Sequence, residues 1–204
     1  MNSPQGDKTA PPPRRTPRLW PVIAAVLLVA AGGGTFAWWG SPRLAEGGLS
    51  GPGKGMSWAD DGVETTRMIV RGKPADTVSA TFSISNQGHL PITVGGLDLT
   101  EMAGWLHGQR VAFVAGYQDF GEVSAPRDRV TLGPGEVATV LWSLDMSCWP
   151  GLSENSTMSV ETLRFRVSWL GIGTTRELSL ERPITFVGDD RPQPAPPADC
   201  ATGR

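Results

Sequence analysis

The chain has 204 residues, of which 39% are hydrophobic and 19% are charged, and its net charge is −2 at pH 7. Four basic residues and one acidic residue give residues 1–18 a net charge of +3, which leaves −5 for the rest of the chain. An acidic surface is poorly suited to the phosphate backbone, which argues against nucleic-acid binding. The length accommodates one domain of ordinary size beside smaller segments.

The first segment, residues 1–18, is rich in proline and has no hydrophobic periodicity. It contains too few apolar side chains to offset the entropy lost on folding, so we expect a disordered tail.

Residues 19–39 form an apolar stretch of twenty-one residues without a charged side chain. At about 1.5 Å per residue, a helix of this length spans roughly 30 Å, the thickness of the hydrocarbon core of a bilayer. Because the basic residues are concentrated before this stretch, the positive-inside bias places the N-terminal tail in the cytoplasm. The sequence therefore predicts a single-pass cell-membrane protein with a transmembrane α-helix over 19–39 in the lipid bilayer and an extracytoplasmic remainder.

A cleaved signal peptide is the alternative interpretation, because a basic stretch followed by an apolar one is also the secretory signature. Thr35-Phe36-Ala37 is the nearest approach to a cleavage site. The bulky Phe36, the tryptophans that follow and an apolar run longer than the usual length of about 7 to 15 residues favour an uncleaved anchor.

Residues 40–55 contain six glycines and two prolines. This composition is typical of a flexible linker, so we expect a spacer between the membrane and the folded domain.

From residue 56 to residue 188, apolar and polar residues alternate with a period of two, the pattern of half-buried β-strands. Short strands separated by glycine-rich turns, without helical periodicity, predict an all-β domain built as an antiparallel β-sandwich. The apolar phase slips at Gly95-Gly96, which indicates a β-bulge or a bend between sheets. About seven strands are predicted, at 63–70, 78–85, 91–99, 110–117, 138–144, 163–169 and 176–187.

The C-terminal segment, 189–204, is proline-rich and aperiodic, yet it contains Cys200. The only other cysteine, Cys148, also follows the predicted anchor and so lies on the side where disulfides persist. An even count there favours a Cys148–Cys200 disulfide that holds this tail to the domain. Two free thiols in a reducing compartment are the alternative.

Three segments of the predicted domain follow a strand, turn and strand pattern: FSISNQGHLPITVGGLDL (82–99), VTLGPGEVATVLWSL (130–144) and LRFRVSWLGIGTTRELSL (163–180). They are similar to segments of membrane-anchored immunoglobulin-like β-sandwich proteins of unknown function from GC-rich bacteria. The excess of arginine over lysine suits such a genome. The resemblance implies an immunoglobulin-like fold outside the membrane and brings no catalytic residues. The cysteine and tryptophan spacing of antibody domains is missing.

Nothing in the sequence points to catalysis, to a metal or to a cofactor. The two histidines, His89 and His107, lie in predicted loops without spaced ligands or base partners. No Gly-x-Ser-x-Gly pattern is present. We therefore expect a protein that is not an enzyme.

Three tryptophans, Trp58, Trp105 and Trp149, fall outside the alternating patterns that Trp142 and Trp169 follow. Exposed rings would stack on sugars or anchor a partner protein, whereas buried ones would close the open ends of the sandwich. Trp105 and Trp149 are therefore candidate ligand-binding residues. The sequence favours protein interaction or assembly at the cell envelope, and the alternative is a glycan- or wall-binding module that uses these tryptophans.

Overall fold

A computed structural model of the chain describes residues 23–27, 40–59, 67–72, 77–100, 108–117, 125–149 and 151–189. The chain divides into two compact units, Met1–Trp38 and Trp39–Arg204. The described part of the second unit contains ten strands: β1 Leu44–Pro52, β2 Ser57–Ala59, β3 Arg67–Arg71, β4 Thr77–Asn86, β5 Ile92–Leu97, β6 Gln109–Ala115, β7 Val130–Leu132, β8 Val137–Asp145, β9 Thr157–Trp169 and β10 Ile172–Val187.

Of the predicted transmembrane helix, the structure describes residues 23–27, which are helical and exposed. Among the described residues, no helix combines the length and the hydropathy that a membrane crossing requires. The remainder of 19–39, the tail 1–18 and residues 190–204 lie outside the described ranges. The transmembrane helix and the disordered tail therefore stay predictions.

The ten strands form two sheets, a four-stranded sheet of order β1-β4-β8-β6 and a six-stranded sheet of order β2-β3-β10-β9-β5-β7. All neighbouring strands are antiparallel except β3 and β10, which are parallel. The expectation of a purely antiparallel sandwich is therefore wrong for this pair. These two strands are far apart in the chain, so no tight hairpin fixes their relative direction.

The inner faces of the two sheets share one hydrophobic core. Phe82 of the four-stranded sheet meets Phe165 of the six-stranded sheet edge to face, with ring centroids 6.4 Å apart. Phe113, also from the four-stranded sheet, lies 6.2 Å from the same Phe165 ring. Contacts of this kind are what the alternating pattern predicts, and the all-β sandwich is confirmed.

The seven predicted strands correspond to β3, β4, β5, β6, β8, β9 and β10. The bulge is confirmed as well, because the register of β5 against β9 shifts between Val94 and Leu97, around Gly95-Gly96. The short strands β2 and β7, of three residues each, are too brief to show a period.

The prediction of a flexible linker over 40–55 is wrong. Residues Leu44–Pro52 form β1, which pairs with β4 along its length. A Cβ on Gly47 would lie 2.6 Å from the Ser83 hydroxyl oxygen, and the same hydroxyl accepts a hydrogen bond from the Leu49 N–H at 2.9 Å. Glycine is thus required here for close packing in a bulge of β1 rather than for flexibility.

The sandwich has two ends. The Gly40 end contains Gly40, residues 87–90 and the β9–β10 turn Leu170-Gly171, and the Trp149 end contains residues 146–149 and 151–156. Strand β9 has 13 residues and runs from one end to the other. At about 3.3 Å per residue the two ends are roughly 40 Å apart.

Candidate functional site

Trp149 is 2% exposed, and its ring lies 4.8 Å from that of Phe186, centroid to centroid. A turn in which the Trp149 N–H bonds the Met146 carbonyl at 3.1 Å directs the chain so that the indole enters the core. The expectation that Trp149 binds a ligand is therefore wrong, because a buried ring has no face to offer. Trp105 lies outside the described residues, and its role stays a prediction.

Trp58, the third tryptophan outside the predicted strand patterns, is 40% exposed. The guanidinium of Arg182 lies 5.1 Å from the centre of its ring. One face of this ring is thus already in contact with a cation, which leaves less of it for stacking on a sugar.

The other residues singled out from the sequence are only partly described. Cys148 is half-buried and is not a free cysteine. Its predicted partner, Cys200, lies outside the described residues, so the Cys148–Cys200 pairing stays a prediction. His89 is exposed, and His107 is not described. Within the described residues, no group of three or more His, Cys, Asp or Glu side chains could hold a metal ion.

Both sheets contribute to a cleft of about 910 Å³ that sequence reasoning did not find. Trp142 contributes to its lining, and the indole N–H donates a hydrogen bond of 2.7 Å to the Gln109 side-chain oxygen. We call it the arginine cleft, after Arg110, Arg129 and Arg166. The rest of its lining is Ser79, Ala80, Thr81, Gly95, Gly96, Leu97, Leu99, Val111, Ala112, Asp128, Leu141 and Ser143.

Arg110, Arg129 and Arg166 reach the cleft from β6, from the residue before β7 and from β9. All three are exposed, and within the described ranges none of the three guanidiniums forms a side-chain hydrogen bond or a close ion pair. The charge of Arg110 does act on the carboxylate of Asp145, where it contributes to the lowered pKa. Arg164, by contrast, forms an ion pair with Glu177 at 2.8 Å. The three cleft guanidiniums therefore keep their donors available for an incoming anion.

The β5 bulge makes room for one of these guanidiniums. A Cβ on Gly96 would lie 3.1 Å from an Nη atom of Arg166. Arg166 also lines two further clefts, of about 420 Å³ and about 520 Å³, and it shares the first of them with Arg129. Arg166 thus lines three clefts.

The two carboxylates that line these clefts, Asp128 and Asp98, form no close ion pair with the three arginines. Asp128 lines the arginine cleft without an ion pair to another described residue. Asp98, in the cleft of about 520 Å³, accepts hydrogen bonds from the hydroxyls of Thr100 and Thr175. These bonds, led by that of Thr100, hold the pKa of Asp98 below its usual value. Its charge is therefore stabilised by hydroxyl groups rather than by a cleft arginine.

One wall of the cleft is a strand edge. Strand β6 is the last strand of its sheet, and Phe113 exchanges two backbone hydrogen bonds with Arg127, at 2.8 and 3.0 Å, on the side away from β8. Backbone groups alternate along a strand, so the N–H and C=O of Val111 point to that same side. Val111 lines the cleft, and its outward groups bond no other backbone group of the described residues.

Sequence reasoning missed these arginines because Arg110 and Arg166 occupy ordinary polar positions of strands, and Arg129 precedes a strand that is too short to show a period. They come from three segments of the chain that only the fold brings together. The one available signal was the glycine pair at 95–96, which was interpreted as a bulge and not as space for a side chain.

Comparison with known proteins gives no family. No family model matches the chain, and no curated protein sequence matches it. Among solved structures, the N-terminal domain of PorA is similar at 17% identity, over 62% of this chain and 91% of that one, with a TM-score of 0.28. A likeness at this score assigns neither a fold family nor a function.

Proposed function

We propose that this chain is a single-pass, membrane-anchored, extracytoplasmic protein that acts without catalysis in protein interaction at the cell envelope. Its arginine cleft binds an extended, acidic segment of a partner protein. The observation that carries the proposal is the convergence of three arginines, none of which forms a close ion pair with a described residue, beside the open edge of β6.

The recognition chemistry follows from the groups that line the cleft. A guanidinium binds a carboxylate through a planar pair of N–H donors, and Arg110, Arg129 and Arg166 offer three of them. The outward N–H and C=O of Val111 match the backbone of an added strand. The partly buried apolar side chains of Leu99 and Val111, which line the cleft, suit alternate apolar residues of that strand. A peptide that alternates acidic and apolar residues meets all three requirements.

An immunoglobulin-like arrangement of the strands supports the proposed type of domain. The order β1-β4-β8-β6 corresponds to the A-B-E-D sheet of such domains, and β10-β9-β5 corresponds to G-F-C. One departure is that β6, in the position of strand D, precedes β7, in the position of C′. Domains of this architecture commonly present loops and strand edges to partner proteins.

A protein partner is favoured over a glycan because the tryptophan basis of the glycan alternative has weakened. Trp149 is buried, and the Trp58 ring carries Arg182 on one face. Membrane anchoring and envelope location rest on the apolar, uncharged 19–39 segment and on the basic residues that precede it.

The test uses the full chain in lipid nanodiscs and a fluorescent peptide of alternating glutamate and valine. Arg129→Gln/Arg166→Gln should weaken binding by about tenfold, since two exposed charge pairs contribute roughly 1.4 kcal/mol together. The matched control, Lys54→Gln/Arg71→Gln, removes the same charge at exposed positions outside the cleft and should change affinity by less than about twofold. A glutamine-valine peptide should not bind.

Equal loss in both double variants would reduce the effect to net charge and contradict the cleft as the site. Co-sedimentation of the full chain with isolated cell-wall polymer, unchanged by Arg129→Gln/Arg166→Gln, would instead support the glycan-binding alternative.

A further inference from the structure

The turn between β9 and β10 exposes two large apolar side chains. Leu170 is 64% exposed and Ile172 is 56% exposed. They flank Gly171 at the tip of a hairpin in which Trp169 pairs with Ile172. Two adjacent apolar side chains on a projecting tip form a contact surface rather than part of the core.

The backbone conformation of this turn is unfavourable for the leucine that occupies it. Leu170 and Gly171 have φ angles of +48° and +79°, the pattern of a two-residue type I′ turn. Such turns favour Asn-Gly, because a bulky side chain is strained at positive φ. Strain that persists at an exposed position points to a role for the side chain itself.

The hairpin tip lies where the folded domain begins. Gly40 is buried, and a Cβ on it would lie 2.9 Å from the indole carbon Cζ3 of Trp169, the residue before Leu170. In the chain, Gly40 directly follows the predicted anchor, residues 19–39. If 19–39 crosses the bilayer, the tip is held beside the membrane surface by chain connectivity alone.

We propose that Leu170 and Ile172 insert into the boundary between headgroups and acyl chains of the bilayer that holds the anchor. This inference rests on the membrane anchoring in the proposed function. Apolar side chains at that depth are removed from water, and the anchor makes their insertion intramolecular, so a weak contact is sufficient. The domain then has two membrane contacts, which restrict its tilt relative to the bilayer.

Site-specific photocrosslinking in the full chain tests the inference. The photoreactive residue p-benzoylphenylalanine replaces Ile172 at the tip, Glu154 at the Trp149 end or Val26 in the predicted anchor, in vesicles of phosphatidylcholine and phosphatidylglycerol. We expect lipid adducts from positions 172 and 26 and none from position 154, which is exposed and at the opposite end. Adding Leu170→Asn should lower the lipid adducts from position 172 without lowering the melting temperature, because asparagine suits this turn.

The outcomes separate the inference from the proposed anchor. Lipid adducts from position 26 without any from position 172 overturn the inference and leave the anchor intact. A protein dimer crosslinked through position 172 overturns it too, since the tip then contacts a second copy. Absence of lipid adducts at both positions overturns the anchor together with the inference.

Discussion

The Gly40 end and the Trp149 end of the sandwich differ in whether their apolar side chains are exposed or buried. At the Trp149 end the loop folds back and Trp149 is buried against Phe186. At the Gly40 end, Leu170 and Ile172 project outward. Both ends contain a turn residue with positive φ, which is Asn155 at the Trp149 end and Leu170 at the other. At the Trp149 end the residue at positive φ is an asparagine, which suits that conformation, whereas at the Gly40 end it is a leucine, which does not.

The exposed tip is not the result of a loosely built end. Asn86, at the Gly40 end, is fully buried, and its side-chain amide donates to the carbonyls of Leu90 and Leu132 at 2.9 and 3.0 Å. Its side-chain oxygen accepts the Gly88 N–H at 2.9 Å. One side chain thus joins the 87–90 loop to β7. Asn86 thus forms an Asx-type turn with Gly88, two residues later in the chain.

The largest effect should come from the Trp149 end. Trp149→Ala removes a buried indole from the core and should lower the free energy of unfolding by about 3–5 kcal/mol. Trp58→Ala, at a ring that is 40% exposed under Arg182, should lower it by about 1 kcal/mol. Denaturant titration of the full chain in detergent micelles measures both values. Similar losses for the two variants would mean that Trp149 does not close its end of the sandwich.

Asn86 tests the other end. Asn86→Ala leaves three buried backbone groups without their partners and should destabilise the protein by about 2–4 kcal/mol. The neighbouring Gln87 is exposed, and Gln87→Ala should change stability by less than about 0.5 kcal/mol. The same titration applies. If Asn86→Ala left the free energy of unfolding unchanged, other contacts would have to stabilise the Gly40 end.

An exchange of the two turn residues addresses the comparison directly. Leu170→Asn should stabilise the protein by about 1 kcal/mol, and Asn155→Leu should destabilise it by about the same amount, because asparagine tolerates positive φ better than leucine does. Thermal melting in detergent micelles without vesicles isolates this effect from membrane contact. A loss of stability in Leu170→Asn would mean that the Leu170 side chain is required by the fold itself.

The smallest expected effect is a pH dependence of opposite sign in two carboxyls. The Ser147 N–H, at 2.9 Å, is the main cause of the lowered pKa of Asp145, so its contribution to stability is lost as the pH falls through that pKa. Burial is the main cause of the raised pKa of Glu46 in β1, and the Glu46 carboxylate also accepts a hydrogen bond from the Glu181 N–H. The protonated form of Glu46 therefore favours folding at low pH, and this contribution is lost as the pH rises through its pKa.

Melting temperatures between pH 7 and pH 3 separate the two groups. Asp145→Asn should reduce the loss of stability on acidification, and Glu46→Gln should remove a gain. Profiles that match the wild type in both variants would contradict this assignment of the two carboxyls.

Alternation alone located most of the sheet. Where one face of a strand is buried, the period of two is imposed by the core, and the segments that became β4, β8 and β9 could be recognised from it. Strand β1 could not, because Gly47 in Leu44–Pro52 fits against Ser83 only after β4 is in place. Its composition indicated flexibility, while its backbone hydrogen bonds to β4 fix it in the sheet.

The candidate site divides in the same way. From the sequence, a tryptophan outside the strand patterns could either bind a ligand or close an end of the sandwich. Only the packing of Trp149 against Phe186 shows that Trp149 closes an end. The convergence of Arg110, Arg129 and Arg166 depends on strand order, which leaves no trace in any one segment.

The all-β class, seven of the strands and the bulge at Gly95-Gly96 could be predicted from the sequence, because these features depend on local periodicity and on the backbone preferences of single residues. Only the tertiary structure decided which strands pair, that β3 runs parallel to β10, which tryptophan is buried and which arginines share a cleft. These features depend on contacts between residues far apart in the chain, and the free energy of such contacts exists only once both partners are in place.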